Sequence, residues 1–349
     1  MKKSFLFAAM AAVVLSGCYK NEVVEVNNGP KEISFKAVSN VATKVGAELD
    51  GTLLTKEYGI YASATQKNVD GTIENGTYFE DQLFQTADSQ PVDVSKYHAW
   101  DTTANAAAPI YWPIGGGEVD FLAYALPTAM HEKISIDWVD DTDIASKVVL
   151  GWNTYDQQID LLYAANNGAT VANNANTETV GLVLEHAQAL LEFQVKVNIA
   201  DVFTLRQIEL VGLQAGTELT IDNTRNNLVA EWTGIETDAQ KDTIVANVAD
   251  EANDRLYEPL VNTTKFEQVG TSLLIPQQPR LNFLIHYTLS GNDMTYEFNE
   301  LRGAWENGKK YIYNLDIYLN EIIITEEVLD WDEVVVEDKD NTDGDIDLQ

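Results

Sequence analysis

One cysteine, four histidines and a shortage of cations set the first limits on this 349-residue chain. A single thiol closes no intrachain disulfide, and His98, His131, His186 and His286 have no spacing that makes a zinc set. Only 22 lysines and arginines stand against 55 acids, a formal charge of −33. A body of that sign repels phosphate backbones and anionic headgroups, which excludes nucleic acid as a partner. Catalytic signatures are missing too. Gly115-Gly116-Gly117 lacks a following Gly-Lys-Ser/Thr, there is no Gly-x-Ser-x-Gly, and Ser272 has no evident base. Acid pairs for glycoside hydrolysis could be picked anywhere among so many carboxylates and therefore specify nothing. The tail from Asp338 resembles a calcium loop until counted: its sixth position is Asp343, where a glycine is needed, and its twelfth is Gln349, where a glutamate is. No enzyme, cofactor or metal is expected.

The N-terminus carries a different message. Lys2-Lys3 precedes an apolar stretch from Phe5 to Leu15, which falls well short of the ~20 residues a membrane-spanning helix needs. It ends in Leu15-Ser16-Gly17-Cys18, which resembles the lipobox of bacterial lipoproteins. The resemblance implies residues 1–17 as a signal peptide, cleavage before Cys18, and acyl chains on its sulfur and amine. Several chains hold a protein to a membrane where one holds it marginally. The competing reading is an ordinary secretory leader with an accidental cysteine. Residues 18–32 are polar and read as a lipidated tether.

From Ile33 onward two-residue alternation dominates. Ala187, Ala189, Leu191, Phe193, Val195 and Val197 share one phase, with Gln188, Glu192, Gln194 and Lys196 on the other. Leu281 to Leu289 and Tyr311 to Leu319 repeat the pattern, and shorter versions occur at Tyr58 to Ala62, Val119-Phe121-Ala123 and Ile208 to Leu213. Alternation of this kind suits strands with one buried and one wet face, hence antiparallel sheets stacked in pairs: an all-β protein built of sandwiches. Turn residues separate the runs, as at Gly291-Asn292-Asp293 and Glu306-Asn307-Gly308. Ile244, Val245, Val248 and Ala252 have helical spacing and predict one short helix within Asp238 to Asn253. The polar stretch Asn166 to Thr179 is the best boundary, giving an N-terminal β-sandwich over 33–176 and a C-terminal one over 177–337. Residues 338–349 read as an acidic disordered tail.

Within this framework, several words occur in order: Ile33-Ser34-Phe35, Tyr58-Gly59-Ile60-Tyr61-Ala62, Tyr111-Trp112-Pro113, and Val119-Asp120-Phe121-Leu122-Ala123-Tyr124. Asp160-Leu161-Leu162-Tyr163-Ala164, Glu185-His186-Ala187, Ile275-Pro276-Gln277, Trp305 through Leu315, and Asp330-Trp331 follow. Together they resemble the fimbrillin family, the subunits of type V pili and their Mfa-like relatives in Bacteroidales-type bacteria. The resemblance implies two tandem transthyretin-like antiparallel β-sandwiches in an outer-membrane lipoprotein precursor. It also implies a trypsin-like processing protease and other fimbrillin subunits as partners. In such assembly the protease removes the first strand and a neighbour's C-terminal strand fills the vacated groove, the outermost ribbon being traded between copies.

Ile33, Phe35 and Ala37 are the candidates for the displaced strand. Ile322, Ile323 and Ile324, with Val334, Val335 and Val336 beyond Trp331, are the candidates for the donor. Burying about four large apolar side chains would gain roughly 6–12 kcal/mol before ordering is charged against it. One departure matters: processing in this family follows an arginine near the start of the first domain, and here no arginine precedes Arg206. Lys44 stands closest to that place, with Lys36 second. Either the protease accepts lysine, or the subunit stays lipid-anchored as a base or accessory component. The alternative to a pilus subunit is a monomeric surface lipoprotein that binds glycans through tryptophans such as Trp138 and Trp152.

Overall fold

The computed structural model describes residues 30–38, 58–67, 73–86, 96–113, 117–141, 144–151, 159–170, 179–199, 203–213, 218–223, 227–233, 242–246, 265–277, 280–302 and 304–331. The chain is all-β. Its first part runs through β1 (Ser34–Val38), β2 (Tyr58–Lys67), β3 (Ile73–Gln85), β4 (Tyr97–Asp101), β5 (Ala106–Ala107) and β6 (Glu118–Pro127). A single helical turn, α1 (Thr128–His131), leads to β7 (Ser135–Asp141), β8 (Ile144–Gly151) and β9 (Leu162–Ala169). Next come β10 (Val180–Val183), β11 (Glu185–His186), β12 (Ala189–Val197), β13 (Phe203–Leu213), β14 (Glu218–Asp222) and β15 (Val229–Thr233). The last are β16 (Asp242–Ala246), β17 (Glu267–Leu274), β18 (Arg280–Leu289), β19 (Asn292–Arg302), β20 (Lys309–Ile317) and β21 (Ile322–Asp330).

The C-terminal part is a sandwich of two four-stranded sheets, ordered β17-β12-β20-β21 and β16-β13-β18-β19. The predicted alternation holds here. Leu191, Phe193 and Val195 from one sheet meet Ile208, Leu210, Phe283 and Ile285 from the other, together with Tyr313 and Leu315. Phe193, Phe283 and Tyr313 pack ring on ring, with centroids 5.1–5.7 Å apart. β18 and β19 are joined by Ser290-Gly291, both at positive φ (49° and 82°), the two-residue turn whose twist matches its strands.

The N-terminal part is layered differently. Eight strands form the path β10-β1-β4-β3-β2-β6-β9-β11, with β5 beside β4. A further sheet, β15-β14-β8-β7, covers part of its other face. β6 therefore buries both phases: Phe121, Ala123 and Ala125 enter one core, while Leu122, Tyr124 and Leu126 meet Val148, Leu150, Leu219 and Ile221 in another. The expectation of one wet face fails for β2 and β6 because a second sheet lies over it.

Two other expectations are revised. Residues 242–246 are strand β16, hydrogen-bonded to β13 with Leu210 opposite Ile244, and not part of a helix. A short apolar run reads equally well in either period, and tertiary pairing decides it. The boundary expected between residues 176 and 177 is crossed by backbone pairing: β10 joins β1 in parallel, β11 joins β9, and the hairpin β14–β15 extends the sheet of β7 and β8. All the described strands lie in one compact unit that begins at Lys31.

Candidate functional site

The first strand is the most enclosed short element of the protein. Ile33, Ser34 and Phe35 have no solvent exposure. β1 is parallel to β10 over residues 35–38 against 180–183, and antiparallel to β4 with Ser34 opposite His98 and Phe35 opposite Tyr97. It lies between two strands and is not the outermost ribbon. Upstream, the Ile33 amide donates to the Ile110 carbonyl at 2.7 Å, and the Trp112 amide to the Lys31 carbonyl at 2.9 Å. Phe35 is packed edge-on against Phe84 and Phe121, with centroids at 4.5 and 5.2 Å. Taking β1 away would leave two rows of unpaired backbone over a slot floored by those rings, a template for an added strand. Ala37 sits opposite Leu182 in the register.

The two cleavage candidates separate. Lys36 has an exposed side chain, but its backbone lies inside β1 opposite Gly181, so a protease reaches it only after local opening. Lys44 lies outside the described residues, as do Cys18, Trp152 and Val334 to Val336.

At the other end of the chain, β21 pairs with β20 through nine residues without a register shift. Ile322 is buried, Ile324 partly so, and Ile323 is 44 % exposed. The three isoleucines are thus engaged, in part, with the chain's own C-terminal core. Past the strand, the Trp331 amide donates to the Gly308 carbonyl at 2.9 Å, and its ring stacks on His186 at 3.6 Å and 7°. His186 is buried and hydrogen-bonded through Nδ1 to Asp160 at 2.9 Å, although its place in the alternation put it opposite the apolar phase. The Tyr58 hydroxyl donates to the Asp160 carbonyl at 3.0 Å, and burial with the neighbouring Asp160 charge pushes that phenol far up. Nothing in the local sequence announced this clasp, because Asp160, His186 and Trp331 meet only in the fold.

A second polar cluster surrounds Asp81, which sits at φ 49°. Its carboxylate accepts from the Tyr124 hydroxyl at 2.7 Å and from His131 Nε2 at 3.0 Å, and the His131 ring stacks on Tyr61 at 3.8 Å. Burial raises the Asp81 pKa, but the hydrogen bonds from His131 and Tyr124 and the His131 charge outweigh it and hold the carboxyl below its usual range. This closed network ties β3, β6 and α1 together. Lys67 with Asp120 and Lys310 with Glu192 make ion pairs with largely buried carboxylates. Trp112, Trp305 and Trp331 are buried, and Trp138 lies 6.0 Å from Tyr124 at the edge of a core. Among the described residues, no group of three or more His, Cys, Asp or Glu side chains could hold a metal.

A sequence profile described as fimbrillin-like matches residues 43–331. The chain belongs to the fimbrillin-like family. Solved structures agree on the fold. A candidate cell adhesion protein from Bacteroides uniformis superposes with a TM-score of 0.52 at 16 % identity, over 87 % of this chain and 99 % of that one. A fimbrial protein from Bacteroides vulgatus gives 0.51 at 15 %, over 86 % and 99 %, and a candidate cell adhesion protein from Bacteroides ovatus 0.51 at 14 %, over 88 % and 99 %. No curated protein sequence matches the chain. The family profile begins at residue 43, after β1, and ends at Trp331, the residue that closes β21 onto His186.

Proposed function

We propose that this fimbrillin-like chain is a structural, non-enzymatic subunit or accessory component of a type V pilus, carried to the cell surface to serve adhesion. Cys18 anchors its precursor to the outer membrane through lipid, and a trypsin-like protease cleaves at Lys44. A second fimbrillin subunit then fills the groove that β1 vacates. The observation that carries this reading is β1 itself: a short N-terminal strand fully buried between β10 and β4, with cleavable sequence after it. Relatives described as fimbrial and as candidate cell adhesion proteins support the same direction. Of the two lysines, Lys44 suits the protease better, because Lys36 is locked into pairing with Gly181. Val334, Val335 and Val336 suit the donor role better than Ile322 to Ile324, whose strand is committed to β20.

The test is to express the full chain at the surface and examine boiled and unboiled samples for SDS-resistant ladders, with and without protease. Ladders that depend on the protease and vanish in Lys44→Gln support donor-strand assembly. An intact acylated Cys18 peptide in all surface material would overturn incorporation into a shaft. The glycan-binding alternative gains no observation: Trp138 is packed near Tyr124 rather than offered as a platform.

A further inference from the structure

β1 is held by more than its core residues. Just before the strand, the Glu32 carboxylate meets His98 Nδ1 at 2.8 Å, the pair being about a quarter exposed on each side. Glu32 also bridges through its backbone to Tyr111, whose carbonyl accepts from the Tyr78 hydroxyl at 2.6 Å. On β4, His98 lies opposite Ser34 of β1 on one side and Gln85 of β3 on the other. It therefore stands between the strand that would leave and the strands that would stay. We propose that His98 and Glu32 form a proton-operated latch on β1, closed while the imidazole is charged and loosened as it becomes neutral. This rests on the reading that β1 is the strand that leaves.

The chemistry is simple. A charged imidazole gives a charge-assisted hydrogen bond to a carboxylate, about twice as strong as the bond a neutral ring makes. An imidazole ordinarily changes charge between pH 5 and 8, whereas a carboxylate stays ionised throughout that window. The sign follows from the ion pair: stabilisation is present at the acid end and is lost as pH rises through the histidine range. The other charged or titratable groups near the pair are few. β1 and its approach bring Lys31 and Lys36, the approach to β4 brings Lys96, the bridge brings Tyr111, β3 brings neutral Gln85 at this position, and β10 brings none. None of these changes charge between pH 5 and 8 at its ordinary pKa, so His98 is the proton switch at this position. The pairing strands themselves do not titrate, so the latch adjusts how readily β1 opens without deciding whether it folds.

Hydrogen exchange on the full-length, uncleaved chain tests this without needing a polymer. The amides of Phe35 to Val38 should lose about two- to fivefold in protection between pH 5.5 and 7.5, while those of β18 stay level. His98→Gln keeps a neutral hydrogen-bonding side chain and should flatten the profile, and Glu32→Gln should flatten it from the other partner. A level profile in the wild-type chain, or an unchanged slope in both variants, overturns the latch. The same preparations report separately on donor-strand assembly: intact ladders with a level profile sink the latch alone. A sloping profile without ladders sinks the assembly reading and leaves the latch in place.

Discussion

The first and last described strands make an instructive pair. β1 is five residues long, with a lysine and a serine among them; β21 is nine long and opens with three isoleucines. By composition the second should be the better core element. Yet Phe35 is fully buried between strands on both sides, while β21 pairs on one side only among the described residues and leaves Ile323, Val328 and Leu329 42–49 % exposed. What an element contributes is set by how many of its neighbours are already in place, not by its hydrophobicity. A buried strand whose chain continues from only one side after a cut is replaceable in a way that an edge strand is not, because its removal leaves a complete slot behind.

The widest separation should come from Phe35→Ala. It removes a ring packed on Phe84 and Phe121 from a site that cannot collapse while β10 and β4 hold their places, and should cost about 3–5 kcal/mol in denaturant unfolding. Against a total of roughly 5–15 kcal/mol, that is a large share. A loss under about 1 kcal/mol would mean that β1 is loosely seated and the contrast with β21 is false. Trp331→Ala sharpens the comparison from the other end, since the buried anchor of the last strand lies just past it. Losing the stack on His186 should cost about 3 kcal/mol and should lower exchange protection at the Trp331 end of β21 first.

Smaller and pH-dependent is the effect at Asp81, which stabilises the N-terminal layers without touching β1. A carboxyl held below its usual range adds stability above about pH 4, and that stability is lost as pH falls through its lowered folded-state value. Asp81→Asn should cost about 1–3 kcal/mol at pH 7 and should flatten the acid limb of the stability profile. Equal acid sensitivity in the two chains would remove Asp81 from the account.

How much of this could be read from the residues alone differs between the same two halves. Around β12, β18 and β20 the alternation places Phe193, Phe283 and Tyr313 correctly, because a simple two-sheet sandwich imposes one wet and one dry face. In the N-terminal part the same rule sees Phe121 and Ala123 but not that Leu122 and Tyr124 face a second core, since the covering sheet borrows β14 and β15 from much later in the chain. The parallel pairing of β1 with β10 is invisible for the same reason: no local pattern records a partner some 145 residues away. Ile33, Phe35 and Ala37 were legible as one strand, whereas its flanked position, the Glu32–His98 contact and the Trp331 clasp were not.

Ile323→Ser should produce the smallest change, and it carries the sharpest question. On the isolated chain the side chain is nearly half exposed on an edge strand, so unfolding stability should move by no more than about 0.5 kcal/mol. If Val334 to Val336 supply the donor, assembled ladders should be equally indifferent to this substitution. If β21 itself were peeled from β20 and laid into a neighbour's groove, Ile323 or its flanking isoleucines would change from exposed edge to buried plug. Replacing one buried isoleucine would then weaken the ladder by about tenfold or more while the monomer stayed as stable as before. A variant silent in the monomer and damaging in the polymer would reassign the donor to β21, and one silent in both would leave β21 a fixed edge of its own sandwich.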